Sequence, residues 1–141
     1  EKTEIQHVKP HGALYNQAAK NSTISNAIGL AVKQIDPQLT IVGLSDSLMI
    51  DIWKEMGLNV AEEGFADRIY EADGSLRNRE LENALITNPA KAAKQAMMIM
   101  KSGEIISMDG NTISINAQTI CIHSDTPNAL EIAKAVKNKE Y

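Results

Sequence analysis

The segment HVKPHGALYN, residues 7–16, places ionisable side chains at the end of a strand-like run. Lys9 could bind a carboxylate or a phosphate, or could lose its proton if it is buried. His11 could act as a general base or a metal ligand, and Gly12 would let a ligand approach the backbone closely. The alternatives are a solvated lysine at a strand end and a loop histidine bonded to a backbone carbonyl. Pro10 holds the backbone of Lys9 extended. We treat Lys9, His11 and Gly12 as candidate site residues.

A second group of ionisable residues ends the strand-like segment VAEEGFA. Asp67 and Arg68 could serve as an acid/base group and an anion clamp, or could merely form an ion pair that orders the loop. In an extended strand Glu63 shares a face with Asp67, and two carboxyl groups on one face would raise the pKa of one of them. A raised carboxyl pKa suits proton transfer. Glu62 would face the other way, so at most one of the two glutamates is expected to point into a core or site.

A third group follows the strand-like segment QTICIH, which ends in His123. Asp125 lies two residues later, so both side chains can face one site. Asp125 or Thr126 could equally be the N-cap of the next helix, but capping would leave His123 unexplained. Cys121 is interpreted as a core residue because cysteine packs as a small hydrophobe.

Composition excludes several classes of protein. The chain has 141 residues, a net charge of −4 and no Lys/Arg cluster typical of nucleic-acid binding. Its apolar runs are too short to cross a membrane, and its N-terminus lacks the layout of a signal peptide. One cysteine cannot form an internal disulfide and fits a reducing compartment, so we expect a cytoplasmic protein. The motifs GxxxxGK[ST], GxGxxG, GxSxG and CxxC are all absent from the sequence.

The elements that must position these residues alternate between strands and helices. In the first half of the chain, the pattern predicts a strand over 5–9, a helix over 23–35 capped by Ser22 or Thr23, a strand over 39–44 and a helix from Ser45 or Asp46 to Met56. A strand over 58–66 and a loop over 67–80 follow. In the second half, it predicts a helix from Pro89 to Lys101, a hairpin with a type I′ turn at Asp109-Gly110, a strand over 118–123 and a helix over 127–140 capped by Thr126.

This alternation predicts an α/β fold with mostly parallel strands, either an open sheet or part of a barrel. Ligands of such folds bind at the carboxyl ends of the strands. Three predicted strands carry ionisable groups at that end, whereas the middles of the strands are mainly apolar. We therefore expect the three groups to contribute to a functional site.

Three stretches together resemble the LamB/YcsF family: HVKPHGALYN (7–16), EGFADRIYEADGSLRNR (63–79) and ICIHSDTPNA (120–129). The family supplies the A subunit of bacterial 5-oxoprolinase. The resemblance implies a distorted (β/α) barrel of the glycoside hydrolase/deacetylase type. It also implies ATP-dependent opening of 5-oxo-L-proline to L-glutamate, with Mg²⁺ accompanying the ATP and with subunits B and C as partners. The family's signature positions correspond to Lys9, His11, Glu63, Asp67, Arg68, His123 and Asp125.

Two departures from the family pattern stand out. Ser124 occupies a position that is usually glycine, which would strain or narrow the site if positive φ or close ligand approach is needed there. The chain is also shorter than family members. We therefore expect residues 1–141 to be a single domain and an incomplete barrel that lacks the N-terminal strands. Its exposed strand edges would be covered by a missing segment or by a second copy in a homo-oligomer, unless the fold is rearranged.

Two other functions stay open at this stage. The first is a metal-dependent amide or N-acetyl hydrolase of the polysaccharide deacetylase type, which the barrel's relatives suggest. A non-catalytic subunit that binds a lactam or a carbohydrate would need no proton transfer. In the 5-oxoprolinase interpretation, Lys9 and Arg68 would stabilise phosphate or developing negative charge, and Asp67, Glu63 or His123 would move protons.

Overall fold

The computed structural model describes residues 4–138. The chain divides into two compact units, Glu1–Glu63 and Gly64–Tyr141, and each is described by itself. The elements in chain order are β1 (His7–Val8), α1 (Gly12–Ala18), α2 (Ser22–Ile35), β2 (Thr40–Leu44), α3 (Leu48–Glu55), β3 (Asn59–Phe65), α4 (Pro89–Ser102), β4 (Glu104–Ile106), β5 (Thr112–Ser114), β6 (Thr119–Cys121) and α5 (Ala129–Lys137).

Parallel strand pairing organises the first unit. Val8 of β1 lies opposite Ile41 of β2, and Ile41 in turn lies opposite Val60 of β3, with both pairs parallel. The strand order of the sheet is β1-β2-β3-β6, and β4 and β5 form a separate antiparallel pair. The predicted fold class, α/β with mostly parallel strands, is confirmed. The single domain expected over residues 1–141 stays a prediction.

The core of the first unit is built around Trp53 of α3, which is fully buried. Two glycines make room for its indole ring: a Cβ on Gly43 of β2 would lie 2.6 Å from Cζ3, and a Cβ on Gly29 of α2 would lie 2.9 Å from Cδ1. Trp53 Nε1 donates to the Ser25 carbonyl at 2.9 Å. The ring thus joins two helices and a strand with its one polar atom satisfied.

Both helices of this core begin at caps other than those predicted. Asn21 caps α2, since its Oδ1 accepts the Ile24 N–H at 3.2 Å. The N-cap of α3 is Ser47 rather than Ser45 or Asp46. The Ser47 hydroxyl donates to the Leu44 carbonyl, so it closes the turn after β2 instead of capping helix N–H groups. Helix α1 was not predicted, and β1 is shorter than the predicted strand over 5–9.

In the second unit, helices α4 and α5 pack through small and β-branched side chains. Their shared core includes Ala92, Ala93, Ala96 and Ile132, all fully buried. The predicted start of α4 is confirmed, because Asn88 Oδ1 accepts the Lys91 N–H at 3.0 Å and Pro89 takes the first helical position. Gly103 ends the helix in the left-handed region at φ 64°.

The predicted hairpin forms, but its turn differs from the predicted type I′. Gly110 has φ 86°, whereas Asp109 is not among the described residues with positive φ, which a type I′ turn requires. The Gly110 N–H donates to the Ser107 carbonyl, and the Ser107 N–H donates to the Asn111 carbonyl, both at 2.9 Å. This pattern describes a turn closed by a left-handed glycine, with one residue more than a two-residue loop contains.

The start of α5 also differs from prediction. The helix begins at Ala129, after Asn128 in the left-handed region at φ 65°. Thr126 is not the N-cap and Pro127 lies outside the helix. The Thr126 hydroxyl instead donates to a carboxylate far away in the sequence. The predicted end of this helix, near Glu140, lies outside the described residues.

Candidate functional site

Asp67 lies two residues after the end of β3 and, among the described residues of the second unit, is the most deeply buried acidic side chain, with no exposed surface. Its Oδ2 accepts a hydrogen bond from the Thr126 hydroxyl at 2.6 Å and another from the His123 N–H at 3.0 Å. Both donors belong to the segment between β6 and α5. The carboxylate is therefore held in one orientation by the chain that follows a different strand.

The imidazole of His123 completes this arrangement. Its Nδ1 lies 3.0 Å from Asp67 Oδ1 and 3.1 Å from Oδ2. The ring stacks on Phe65, with the centroids 5.2 Å apart and the planes 13° from parallel. In the neutral imidazole this geometry assigns the proton to Nδ1, so Nε2 carries the lone pair. Nε2 has no hydrogen-bond partner among residues 4–138, and the side chain as a whole is 24% exposed.

The hydrogen bonds to Asp67 decide its charge. Burial alone would raise the pKa of Asp67, but the hydrogen bonds from His123 and Thr126 outweigh it and bring the pKa below its ordinary value. We expected one carboxyl pKa to be raised for proton transfer, and Asp67 shows the opposite. Asp67 is therefore an anion whose carboxylate orients the His123 ring through Nδ1.

The exit of β3 is fixed by side chains that sequence reasoning missed. Gln95 of α4 donates through Nε2 to the carbonyls of Phe65 at 2.7 Å and Arg68 at 2.8 Å. The Tyr70 hydroxyl accepts the Phe65 N–H at 2.8 Å. One glutamine in an amphipathic helix carries no signal of this role, because it depends on which loop the helix packs against. The effect is to hold the backbone on both sides of Asp67.

Arg68 and Asp125 lie beside this pair but contact other groups. Arg68 is buried and donates through Nη2 to the Arg77 carbonyl, whereas its Nε has no partner among the described residues. Burial, and then the nearby charge of Arg79, lowers the pKa of Arg68. Asp125 is exposed, and its Oδ2 accepts from Arg79 Nη1 at 2.7 Å, which lowers the pKa of Asp125. Arg79 was not predicted as a site residue, although it ends the second of the three stretches that resemble the family.

In the first unit, Lys9 pairs with Glu63 instead of standing free at a strand end. Lys9 Nζ lies 2.6 Å from Glu63 Oε2 and 5.5 Å from the centroid of the Tyr15 ring. Glu63 is buried, and its Oε1 has no hydrogen-bond partner among residues 4–138. A buried carboxylate oxygen in this state lacks a hydrogen bond that such groups normally make.

Glu62 is also buried, so the expectation that at most one of the two glutamates points inward is wrong. Its Oε1 lies 2.6 Å from Lys54 Nζ, and its Oε2 accepts from the Ser45 hydroxyl at 3.2 Å and the Asp46 N–H at 3.1 Å. The two glutamates project to opposite faces of β3, and each face is covered. Glu62 thereby holds Asp46, which has a left-handed backbone at φ 56°.

His11 and Gly12 stand apart from these contacts. His11 is exposed at the N-cap of α1 and makes no side-chain capping bond. Gly12 has φ 59°, and a Cβ there would meet no atom within 4 Å. Backbone conformation, and not crowding by neighbouring protein atoms, is therefore what favours glycine at this position.

Metal binding and membrane crossing each require a recognisable arrangement of residues. Between residues 4 and 138, no group of three or more His, Cys, Asp or Glu side chains is placed to hold a metal ion. In the same range, no helix is long and apolar enough to cross a membrane.

Comparison with known proteins identifies the family. The family model described as the LamB/YcsF family matches residues 1–140. The chain belongs to the LamB/YcsF family. Among curated members, it is 47% identical to the A subunit of 5-oxoprolinase from Chloroflexus aggregans, over 98% of this chain and 55% of that protein. It is 49% identical to the A subunit of 5-oxoprolinase from Heliobacterium modesticaldum, over 94% of this chain and 52% of that protein.

A solved structure of the same type supports the fold. The crystal structure of the lactam utilization protein from Thermus thermophilus matches with a TM-score of 0.86 and 39% identity, over 94% of this chain and 52% of that one. The expected fold type is therefore confirmed. The chain spans about half the length of the curated relatives it matches.

Proposed function

We propose that this chain carries the proton-transfer groups of the A subunit of a 5-oxoprolinase, which cleaves 5-oxo-L-proline to L-glutamate with ATP. The observation that carries the proposal is the Asp67–His123 pair, in which a buried carboxylate orients a partly exposed imidazole through Nδ1. The relatives, named as the A subunit of 5-oxoprolinase, supply the substrate.

The proposed reaction needs both activation and proton transfer. A lactam amide resists attack by water, so its oxygen first takes the γ-phosphoryl group of ATP, and ADP leaves. Water then adds to the activated carbon, and the C–N bond breaks as the ring nitrogen is protonated. A second water hydrolyses the resulting acyl phosphate, which releases phosphate and glutamate. Each water must lose a proton to a positioned base.

Residues of this chain match those needs. His123 Nε2 takes the proton from water, and Asp67 stabilises the imidazolium that forms. Arg68 supplies positive charge for phosphoryl or carboxylate oxygens. In the first unit Lys9 pairs with Glu63, and roles for both residues in the reaction stay predictions. A role for His11 in the chemistry and for Gly12 in binding substrate stays a prediction.

The same proposal extends to the surroundings of the chain. ATP would act with Mg²⁺, and subunits B and C would be the partners, since the relatives are named as one subunit of an enzyme. The single cysteine fits a reducing compartment, so a cytoplasmic location is proposed as well.

The test is an assay of glutamate and ADP formation from 5-oxoproline and ATP, with the full-length protein and its two presumed partner subunits. His123→Asn is the informative variant, because its amide nitrogen can still donate to Asp67 while the Nε2 base is lost. We expect kcat to fall about 100-fold or more with little change in KM. His7→Asn, at the exposed histidine of β1, is the matched control and should retain full activity.

Three outcomes would contradict the proposal. A His123→Asn variant that changes only KM would assign His123 to binding. Glutamate release that needs a bound metal but no ATP would favour a metal-dependent amide hydrolase. Tight lactam binding without turnover, with the partners folded and bound, would favour a non-catalytic role.

A further inference from the structure

Two arginines of the second unit are brought to one place by the loop that follows β3. Arg68 donates through Nη2 to the Arg77 carbonyl, so its guanidinium docks on the segment that carries Arg79. Arg79 in turn reaches Asp125, with 2.7 Å between Nη1 and Oδ2. Asp125 lies two residues after His123, whose ring is bound to Asp67. The arginines therefore lie beside the proposed proton-transfer pair.

The two guanidinium groups at this place are less completely paired than the neighbouring carboxylate of Asp67. Arg68 is 5% exposed, and its Nε has no partner among the described residues, which is a costly state for a buried cation. The carboxylate of Asp67 is already engaged by His123 and Thr126. Asp125 pairs with Arg79 but is 66% exposed. Within residues 4–138, Arg68 thus keeps an unpaired buried donor, and the ion pair of Arg79 is with a carboxylate that is mostly in solvent.

The third arginine of the loop differs. Arg77 is paired with Glu71 at 2.8 Å and donates through Nε to the Glu82 carbonyl at 2.9 Å. Its guanidinium holds the loop together and is engaged within the loop, so Arg77 serves as an internal control for the other two.

We propose that Arg68 and Arg79 form an oxyanion subsite, and that the incoming anion displaces Asp125 from Arg79. Guanidinium groups bind carboxylate and phosphoryl oxygens through paired N–H donors. An exposed ion pair contributes little to stability, so exchanging one partner is inexpensive. The choice of probes rests on the proposed function: the oxyanion is either the carboxylate of 5-oxoproline or a phosphoryl group of ATP.

The experiment is a calorimetric titration of the full-length protein with three separate probes: 5-oxo-L-proline, 2-pyrrolidinone and ATP with Mg²⁺. 2-Pyrrolidinone keeps the lactam ring and lacks the carboxylate. We expect Arg79→Gln to raise the Kd of one anionic probe about tenfold or more and to leave 2-pyrrolidinone binding unchanged. Arg77→Gln should not change the Kd of either anionic probe by a comparable factor.

The arms of the titration separate the two sources of the oxyanion. A loss confined to 5-oxoproline identifies its carboxylate, and a loss confined to ATP identifies a phosphoryl group. Asp125→Asn should tighten binding of the same probe, because it removes the competing carboxylate; weaker binding would overturn displacement. Three results would overturn the subsite. Arg79→Gln could leave the affinities for both anionic probes unchanged, or Arg77→Gln could lower them equally. The third is that the parent protein binds neither anion. Binding without turnover would contradict the proposed function and leave the subsite standing.

Discussion

At the scale of single residues, two neighbouring glutamates of β3 provide a matched comparison. Each is 3% exposed and each has a lysine at 2.6 Å, but Lys9 is 21% exposed and Lys54 is 54% exposed. Breaking a buried ion pair leaves an uncompensated charge, whereas an exposed lysine can be replaced by water.

We therefore predict that Lys9→Met lowers the free energy of unfolding by about 3 kcal/mol. Lys54→Met should have a clearly smaller effect, because water can reach Glu62 once the exposed lysine is gone. Chemical denaturation of the two variants measures both changes. Equal losses would mean that exposure of the lysine does not decide the cost.

Several candidate site residues could be selected from sequence because their signals are local. Asp67 follows one strand-like run and His123 ends another, and these positions alone marked them as candidates. Thr126 was misassigned because a threonine near the start of a helix has the same local pattern whether or not it caps. Its hydroxyl is taken by Asp67, 59 residues away, and that contact is visible only in the folded chain.

At the scale of elements, the contact between β2 and α3 depends on the missing side chain of Gly43. A Cβ there would lie 2.6 Å from Trp53 Cζ3 and 3.1 Å from Ile50 Cδ1. We predict that Gly43→Ala destabilises the protein by about 1–3 kcal/mol through overpacking.

A double-mutant cycle with Trp53→Phe tests this cause. The smaller ring should relieve the clash, so the double variant should be more stable than the sum of the two single losses predicts. Additive losses would show that Gly43→Ala acts through strand conformation and not through the indole ring.

Elements with strong terminal signals were predicted to within a residue, and others were not. Asn88, Pro89 and Gly103 mark both ends of α4, and the structure uses all three. Helix α1 has only seven residues, too few to show a helical period. The dipeptide Asp109-Gly110 predicted a hairpin correctly, but the two residues alone cannot distinguish a two-residue turn from a longer one closed by glycine.

At the scale of the whole molecule, the shifted pKa values predict how stability depends on pH. The pKa values of Asp67, Asp109 and Asp125 are lowered in the folded state, so their contributions are present above about pH 4 and are lost as the pH falls through the folded values. Hydrogen bonding to Glu62 raises the pKa of Lys54, so its contribution is present below about pH 10 and is lost as the pH rises further.

We predict a stability plateau at neutral pH with a loss on the acid side that comes mainly from Asp67. Asp109 and Asp125 are exposed, and solvent weakens their contributions. Thermal unfolding measured across pH should show that Asp67→Asn loses less stability than the parent protein as the pH falls below neutral. Asp51→Asn, at an exposed carboxylate of α3, should lose as much stability at acid pH as the parent protein. If Asp67→Asn also loses as much, groups other than Asp67 cause the acid dependence.

Trp53, enclosed between two glycines, has a further consequence. It is the only tryptophan among the 141 residues, and it lies in the first of the two compact units. Trp53 is therefore an intrinsic fluorescent probe of the unit Glu1–Glu63. A change in emission on substitution or ligand binding reports on that unit. An event confined to the unit that carries Asp67 and His123 should leave the emission unchanged.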